Sequence, residues 1–321
     1  MRISLYAGAL ALAQATHSFA IELSFPVQCV LGQSCFIQNY VDADPSGEYA
    51  DFSCGKLSYN GHKGTDIALP AARDMADGVD VLAAAAGTVR AIRDGVGEHL
   101  PGEPMQFPEG QDCGNGLAIT HADGWETQYC HLRKGSVSVS AGDVMKPGQK
   151  VGEIGMSGRT EFPHLHMTLR RDGVVVDPFD PTPDETCGAP VEDQLWADPL
   201  SYQAGGLLQA GFFNAVPEFD TIKTGDAHSP NFALDSGALV FWAHVFGTKT
   251  GDHIRLTIDG PNGRFFDNTS TLDKPQAQAM RAGGRRLHDG NKAPGTYTGT
   301  ATFSRQGAVI GQISIETVLS E

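Results

Sequence analysis

The chain has 321 residues, 40% of them hydrophobic and 19% charged, more than one domain usually holds, and it reads as two globular domains with real cores. Its formal charge of -15 excludes an electrostatic grip on nucleic acid or on an anionic membrane surface, since both need clustered Lys and Arg. The 39 glycines, with frequent Val and Thr, favour short strands over long helices, so the expected fold class is mostly β.

In chain order, residues 1–20 read as a cleaved secretory signal. Arg2 gives a positive start, an apolar stretch runs from Ile3 to Ala15, and Ser18 and Ala20 are the small residues before Ile21. That stretch is too short and too broken, by Gln14 and His17, to span a bilayer, and no other segment is apolar for long enough. No membrane span is therefore expected in the mature chain. All six cysteines follow the signal: Cys29, Cys35, Cys54, Cys113, Cys130 and Cys187. An even count in an exported chain implies disulfides. Cys29 with Cys35 would close a short local loop, Cys113 and Cys130 flank a hairpin, and Cys54 with Cys187 remains; spacing alone leaves other pairings open. No C-x2-C spacing marks a structural zinc site.

Residues 21–50 form a Cys-containing lead-in, and residues 51–185 are dense in Gly and short β-like runs. The Pro- and acid-rich stretch from Asp177 to Gln194 reads as surface connection, with residues 186–204 as the linker. Residues 205–321 carry strand-like runs such as "ALVFWAHVFG" and "GTYTGTATFSRQGAVIGQISIETV", with Pro-Asn-Gly and Arg-Gln-Gly turns. These suggest a small β-sandwich.

The chemistry lies in the middle region. In "GHKGTDIALP", His62 and Asp66 fall on one side, while Gly61 and Gly64 disfavour a helix and permit close backbone approach. "NGLAITHADGWETQYCHL" reads as two strands around Ala122-Asp123-Gly124, with Trp125, Thr127, Tyr129 and His131 sharing a face. In "PHLHMTLRRDG", His164, His166 and Thr168 share one face of a strand, and Leu165, Met167 and Leu169 share the core face. A lone histidine at a strand end is usually structural, and an isolated pair on a strand is usually surface. Taken together they offer neutral imidazole and carboxylate, which suit zinc. A catalytic zinc typically keeps three protein ligands and one open position, and His62, Asp66 and one of the paired histidines would make that set.

The motifs "HKGTD", "GNGLAITHADGWETQYCHL", "KPGQKVGEIGMSG" and "PHLHMTL" occur in that order, and together they resemble the lysostaphin-like zinc metallopeptidases, over residues 55–180. The resemblance implies an antiparallel β-sheet metallopeptidase domain with its site on a groove, joined here to a C-terminal β-sandwich-like domain. It implies His62, Asp66 and His166 as Zn2+ ligands and His131 and His164 as catalytic residues. Zinc would lower the pKa of a water, the two histidines would move its proton, and zinc with a protonated histidine would stabilise the oxyanion. Tyr59 is a further candidate donor. The function implied is that of a secreted zinc endopeptidase cutting peptide cross-links of peptidoglycan. Export, disulfides and an acidic chain suit the periplasm, where the cross-link joins D-alanine to diaminopimelate; glycine bridges are the second choice.

The stretch from Arg93 to Gly114 is longer than a tight hairpin needs and is expected to lie over one end of the groove. The lead-in either packs against the domain or covers the site. The competing function is a non-catalytic wall-binding or hydrolase-activating module, with the C-terminal domain as its partner surface; nothing in the sequence assigns that domain a partner. "GMSGR" fails as a serine elbow because Arg159 stands where Gly is needed. No P-loop or dinucleotide fingerprint is present.

Overall fold

The computed structural model describes residues 21–181, 187–188 and 194–321. The expected signal at residues 1–20 lies outside them, as do parts of the expected linker. The fold is mostly β, as its composition implies. Strands in the first part are β1 (Phe36–Asn39), β2 (Thr65–Ala68), β3 (Asp80–Leu82), β4 (Gly87–Arg93), β5 (Asn115–Thr120), β6 (Trp125–Leu132), β7 (Val144–Met145), β8 (Lys150–Glu153), β9 (His164–Arg171) and β10 (Val174–Val176). The main sheet has the order β1-β2-β9-β6-β5-β4-β7, with β10 also pairing β9, and β3 pairs β8 separately. All of these pairings are antiparallel.

Alternation explains why the middle strands bury one face. Leu165, Met167 and Leu169 of β9 pack into a core with Ile67, Leu117, Ile119 and Tyr129. Each such fully buried side chain contributes roughly 1.5–3 kcal/mol. The lead-in joins this core rather than standing apart. Phe36 and Ile37 are buried in it, and β1 pairs β2 so that Asn39 faces Asp66.

The stretch after β10 is anchored at its start. Phe179 stacks on Phe52 at 5.0 Å, and Trp196 meets Phe179 at 5.5 Å. Its Pro- and acid-rich composition hides these two aromatics, which tie its ends to the core. Three disulfides join Cys29 to Cys35, Cys54 to Cys187 and Cys113 to Cys130.

The second part holds β11 (Gly206–Phe213), helix α1 (Phe219–Thr224), β12 (Asn231–Ala233), β13 (Ala238–Thr248), β14 (His253–Gly260), β15 (Gly263–Thr271), β16 (Gln276–Arg286), β17 (Gly295–Arg305) and β18 (Ala308–Ser320). A sheet β11-β13-β16 and a sheet β12-β18-β17-β14-β15 enclose a core of Phe212, Phe241, Ile258, Tyr297 and Phe303. The two parts interlock. Phe246 of β13 sits in the first core against Phe36, ring centroids 4.7 Å apart. Gln209 Nε2 donates to the Pro70 carbonyl at 3.0 Å, and Gln278 Nε2 donates to Gln38 Oε1 at 3.0 Å.

Candidate metal centre

Three strands that are neighbours in the sheet carry the site. Asp66 on β2 stands opposite His166 on β9, and Cys130 on β6 stands opposite His166 from the other side. Directly opposed residues share a face, so Asp66 and His166 meet on the face away from the core. His62 comes from the turn before β2. Gly64 is required by the close approach: a Cβ there would lie 2.6 Å from His166 Nε2.

The donor atoms converge. His166 Nδ1 is 2.8 Å from Asp66 Oδ1, His62 Nε2 is 3.2 Å from the same oxygen, and His62 Nε2 is 3.2 Å from His166 Nδ1. The other ring nitrogens are committed. His62 Nδ1–H donates to the Tyr40 carbonyl at 2.7 Å, and His166 Nε2–H donates to Thr168 Oγ1 at 3.1 Å, tautomers assigned from these partners. Two imidazole lone pairs and a carboxylate oxygen therefore point at one spot, an arrangement that repels itself unless a cation or an added proton sits there. The donor set fits a zinc ion, with outer partners that fix each ring as metal sites require. Asp66 Oδ2 accepts from Asn39 Nδ2 at 2.8 Å. A second set, His131, His164 and His166, shares one member with His62, Asp66 and His166, and in each set the ligand atoms lie within 4.8 Å of one another.

Electrostatics agree with that division of charge. Burial alone would raise the Asp66 carboxyl, but His62 and His164 outweigh it and hold Asp66 well below its ordinary range. Burial lowers the His166 imidazole despite Asp66 beside it. Burial, then His164 and His166, press His131 well below its usual value. His62 moves the other way: burial would lower it, but Asp66 raises it.

His131 departs from the alternation that the sequence suggests. Trp125, Thr127 and Tyr129 are buried on the core side, and the Tyr129 hydroxyl accepts from the Ala84 amide at 2.8 Å. His131 has φ 64°, a left-handed conformation costing a non-glycine residue about 1–3 kcal/mol. The β5–β6 register shifts between Asn115 and Leu117, where Leu132 and Tyr129 are the partners. The kink turns His131 out of line with Tyr129 and into the cleft. There Nδ1–H donates to the Ser157 carbonyl at 2.8 Å, and the ring lies 4.6 Å from that of His164. His164 Nδ1–H donates to the Phe162 carbonyl at 2.9 Å, with Nε2 3.5 Å from Asp66 Oδ1.

All five residues singled out in the sequence thus border one cavity of about 680 Å³ or its floor. Tyr59 is there too, its ring 4.4 Å from that of His62 and its hydroxyl pushed up to about 12, first by burial. Asn39, Ser157 and Thr168 were not foreseen. Thr168 lay on the right face of its strand, but nothing in the lead-in marked Asn39 as a partner of Asp66. The long Arg93–Gly114 stretch brings Met105 to the cavity, and His99 Nε2 bonds the Thr160 carbonyl at 2.9 Å.

A β-sheet groove that gathers four histidines and an aspartate offers the donor set of a candidate metal centre. The model of Peptidase family M23 matches residues 60–178, and the chain carries a domain of that family. The DD-carboxypeptidase/endopeptidase Mpg of Neisseria meningitidis serogroup B is 37% identical over 112 residues, 34% of this chain and 24% of that protein. The peptidoglycan DD-endopeptidase ShyB of Vibrio cholerae is 32% identical over 176 residues, 54% of this chain and 32% of that protein. The chain thus spans well under two thirds of the length of these relatives. A solved zinc-containing peptidase from Vibrio cholerae is 27% identical, with a TM-score of 0.28, over 45% of this chain and 39% of that one.

Proposed function

We propose that the protein is a zinc-dependent endopeptidase that hydrolyses peptide cross-links of peptidoglycan, of the D-alanine–diaminopimelate type, outside the cytoplasm. The observation that carries this reading is the convergence of His62, Asp66 and His166 on one point, with His131 and His164 beside it. Membership of the M23 family and relatives named as peptidoglycan DD-endopeptidases support the substrate class. Three disulfides suit an oxidising compartment, and no helix among the described residues is long and apolar enough to cross a membrane.

His62 Nε2, Asp66 Oδ1 and His166 Nδ1 would hold the metal. When bound, zinc supplies Lewis acidity, which activates water near neutral pH and polarises a carbonyl. The rest falls to the chain. His131 has its Nδ1 proton committed to Ser157, which leaves Nε2 as the acceptor facing the cleft. Its lowered pKa keeps the ring neutral near pH 7, so that Nε2 retains its lone pair. His164, held through Nδ1 in the same way, faces Asp66 with Nε2 and completes the pair that returns the proton to the leaving amine. Tyr59 keeps its proton at neutral pH and can donate a hydrogen bond to a developing oxyanion.

The test is hydrolysis of isolated cell walls by the zinc-loaded protein. Soluble fragments should appear, stop on adding a chelator and resume on restoring zinc, with new amino groups on diaminopimelate. Walls that are bound but never cut would replace this reading with that of a binding module.

A further inference from the structure

The cleft is not built by the M23 domain alone. One wall comes from the C-terminal domain, through Phe219 and Lys223 of α1 and Ala277 and Gln278 of β16. This wall is fixed in position. Gln278 donates to the buried Gln38 at 3.0 Å and accepts from His244 Nε2–H at 3.1 Å. Gln209 Nε2 reaches both the Pro70 carbonyl at 3.0 Å and the Ile222 carbonyl at 3.1 Å, and Arg73 donates to the Gly225 carbonyl at the end of α1. The end of the helix is thus bonded to both parts of the chain.

A second hollow of about 340 Å³ runs on beneath the Arg93–Gly114 stretch and shares Met105, Thr160, Glu161 and Lys223 with the main cleft. The shared residues make the two hollows adjoin at Lys223, so that together they give a peptide more room than the main cleft alone. In a chain of charge -15, two cations line the main cleft, Arg159 and Lys223. Glu161, which is exposed, lines the cleft as well. Arg159 pairs with Asp112 at 2.8 Å, and its side chain is 71% exposed. The Lys223 side chain is only 24% exposed, with Nζ 5.4 Å from the centre of the Phe219 ring and 2.7 Å from Asp220 Oδ1. Its partner Asp220 is 54% exposed, and such a pair is weak enough to exchange for another carboxylate. An ammonium largely sunk beside an aromatic ring, in a lining it shares with Met105, matches a carboxylate carried on an aliphatic stem.

We propose that Lys223, supplied by the C-terminal domain, determines specificity by holding a free carboxylate of the peptide substrate next to the metal centre. This rests on the peptidase reading. The test uses two cross-linked stem peptides, one with the diaminopimelate side-chain carboxylate free and one with it amidated. The zinc-loaded full chain, Lys223→Met and Lys223→Arg are compared for KM, kcat, zinc content and, with calorimetry, binding. The unaltered protein should favour the free carboxylate. Lys223→Met should raise KM for that peptide about tenfold or more, with full zinc content, and erase the preference; Lys223→Arg should keep it. A preference that survives in Lys223→Met, or is missing in the unaltered protein, overturns the proposal. If both peptides bind but neither is cut, the peptidase reading fails, while the calorimetric preference still decides the role of Lys223.

Discussion

Histidines are buried in both parts of the molecule, and they behave differently. His166 on β9 spends one ring nitrogen on Thr168 and turns the other toward Asp66 and His62. His244 on β13 has both nitrogens occupied by neutral amides, Gln209 Nε2 at 3.4 Å and Gln278 Oε1 at 3.1 Å. Burial pushes His244 down to about 4, the hydrogen bond to Gln278 raising it only in part and the Lys223 charge lowering it further. The contrast shows that burial does not make a histidine a ligand. What marks a candidate ligand is a lone pair left uncommitted and aimed where a carboxylate and a second ring also point.

The largest effects should come from breaking that convergence. His62→Ala, Asp66→Ala and His166→Ala should each lose both zinc and wall hydrolysis. His131→Ala and His164→Ala should keep most of the zinc but lose about 100- to 10,000-fold in rate. Elemental analysis and hydrolysis rates on all five variants separate the classes. Should His131→Ala or His164→Ala shed zinc as fully as His62→Ala, the division into ligands and acid–base residues would be wrong; should they shed it while His62→Ala keeps it, the second histidine set would hold the metal.

His244 should act on stability instead. Its pKa falls from 6.5 to about 4 on folding, so between those values only the unfolded chain takes up the proton. The contribution is whole above about pH 6.5 and is lost as pH falls toward 4, a total of about 3 kcal/mol. Urea unfolding followed against pH should show this slope, and His244→Gln should flatten it. An unchanged slope would assign the acid sensitivity to other groups.

Asn39 tests the outer support of the site. Asn39→Ala removes the donor to Asp66 Oδ2 and should weaken zinc binding about 10- to 100-fold while leaving the fold intact. Competition with a chelator of known affinity reads this directly. The smallest effect is expected at Thr300 on β17, whose hydroxyl shares an exposed hydrogen bond with Ser314 at 2.9 Å. Thr300→Val should change stability by no more than about 0.5 kcal/mol and leave hydrolysis alone.

These residues also show how far the sequence could be read. Leu165, Met167 and Leu169 alternate with His164, His166 and Thr168, so the two faces of β9 were legible from spacing alone. The sandwich was legible for the same reason, since Tyr297, Ala301 and Phe303 alternate with threonines and are buried. The site of His131 was legible but its orientation was not. Alternation aligns it with Tyr129, and only a left-handed backbone at that position turns it into the cleft. Asn39 and the wall formed by α1 were hidden because they depend on long-range docking, which leaves no local periodicity.

The strand order carries a consequence for how the protein comes to life. Asp66 and His166 are 100 positions apart, yet they are direct partners across β2 and β9. Local hairpins such as β5–β6 form early and cheaply, whereas distant pairings wait on the closure of long loops. No partly folded chain that lacks the β2–β9 ladder has Asp66 and His166 together. The proposed ligands Asp66 and His166 can therefore meet only once that long-range pairing has formed.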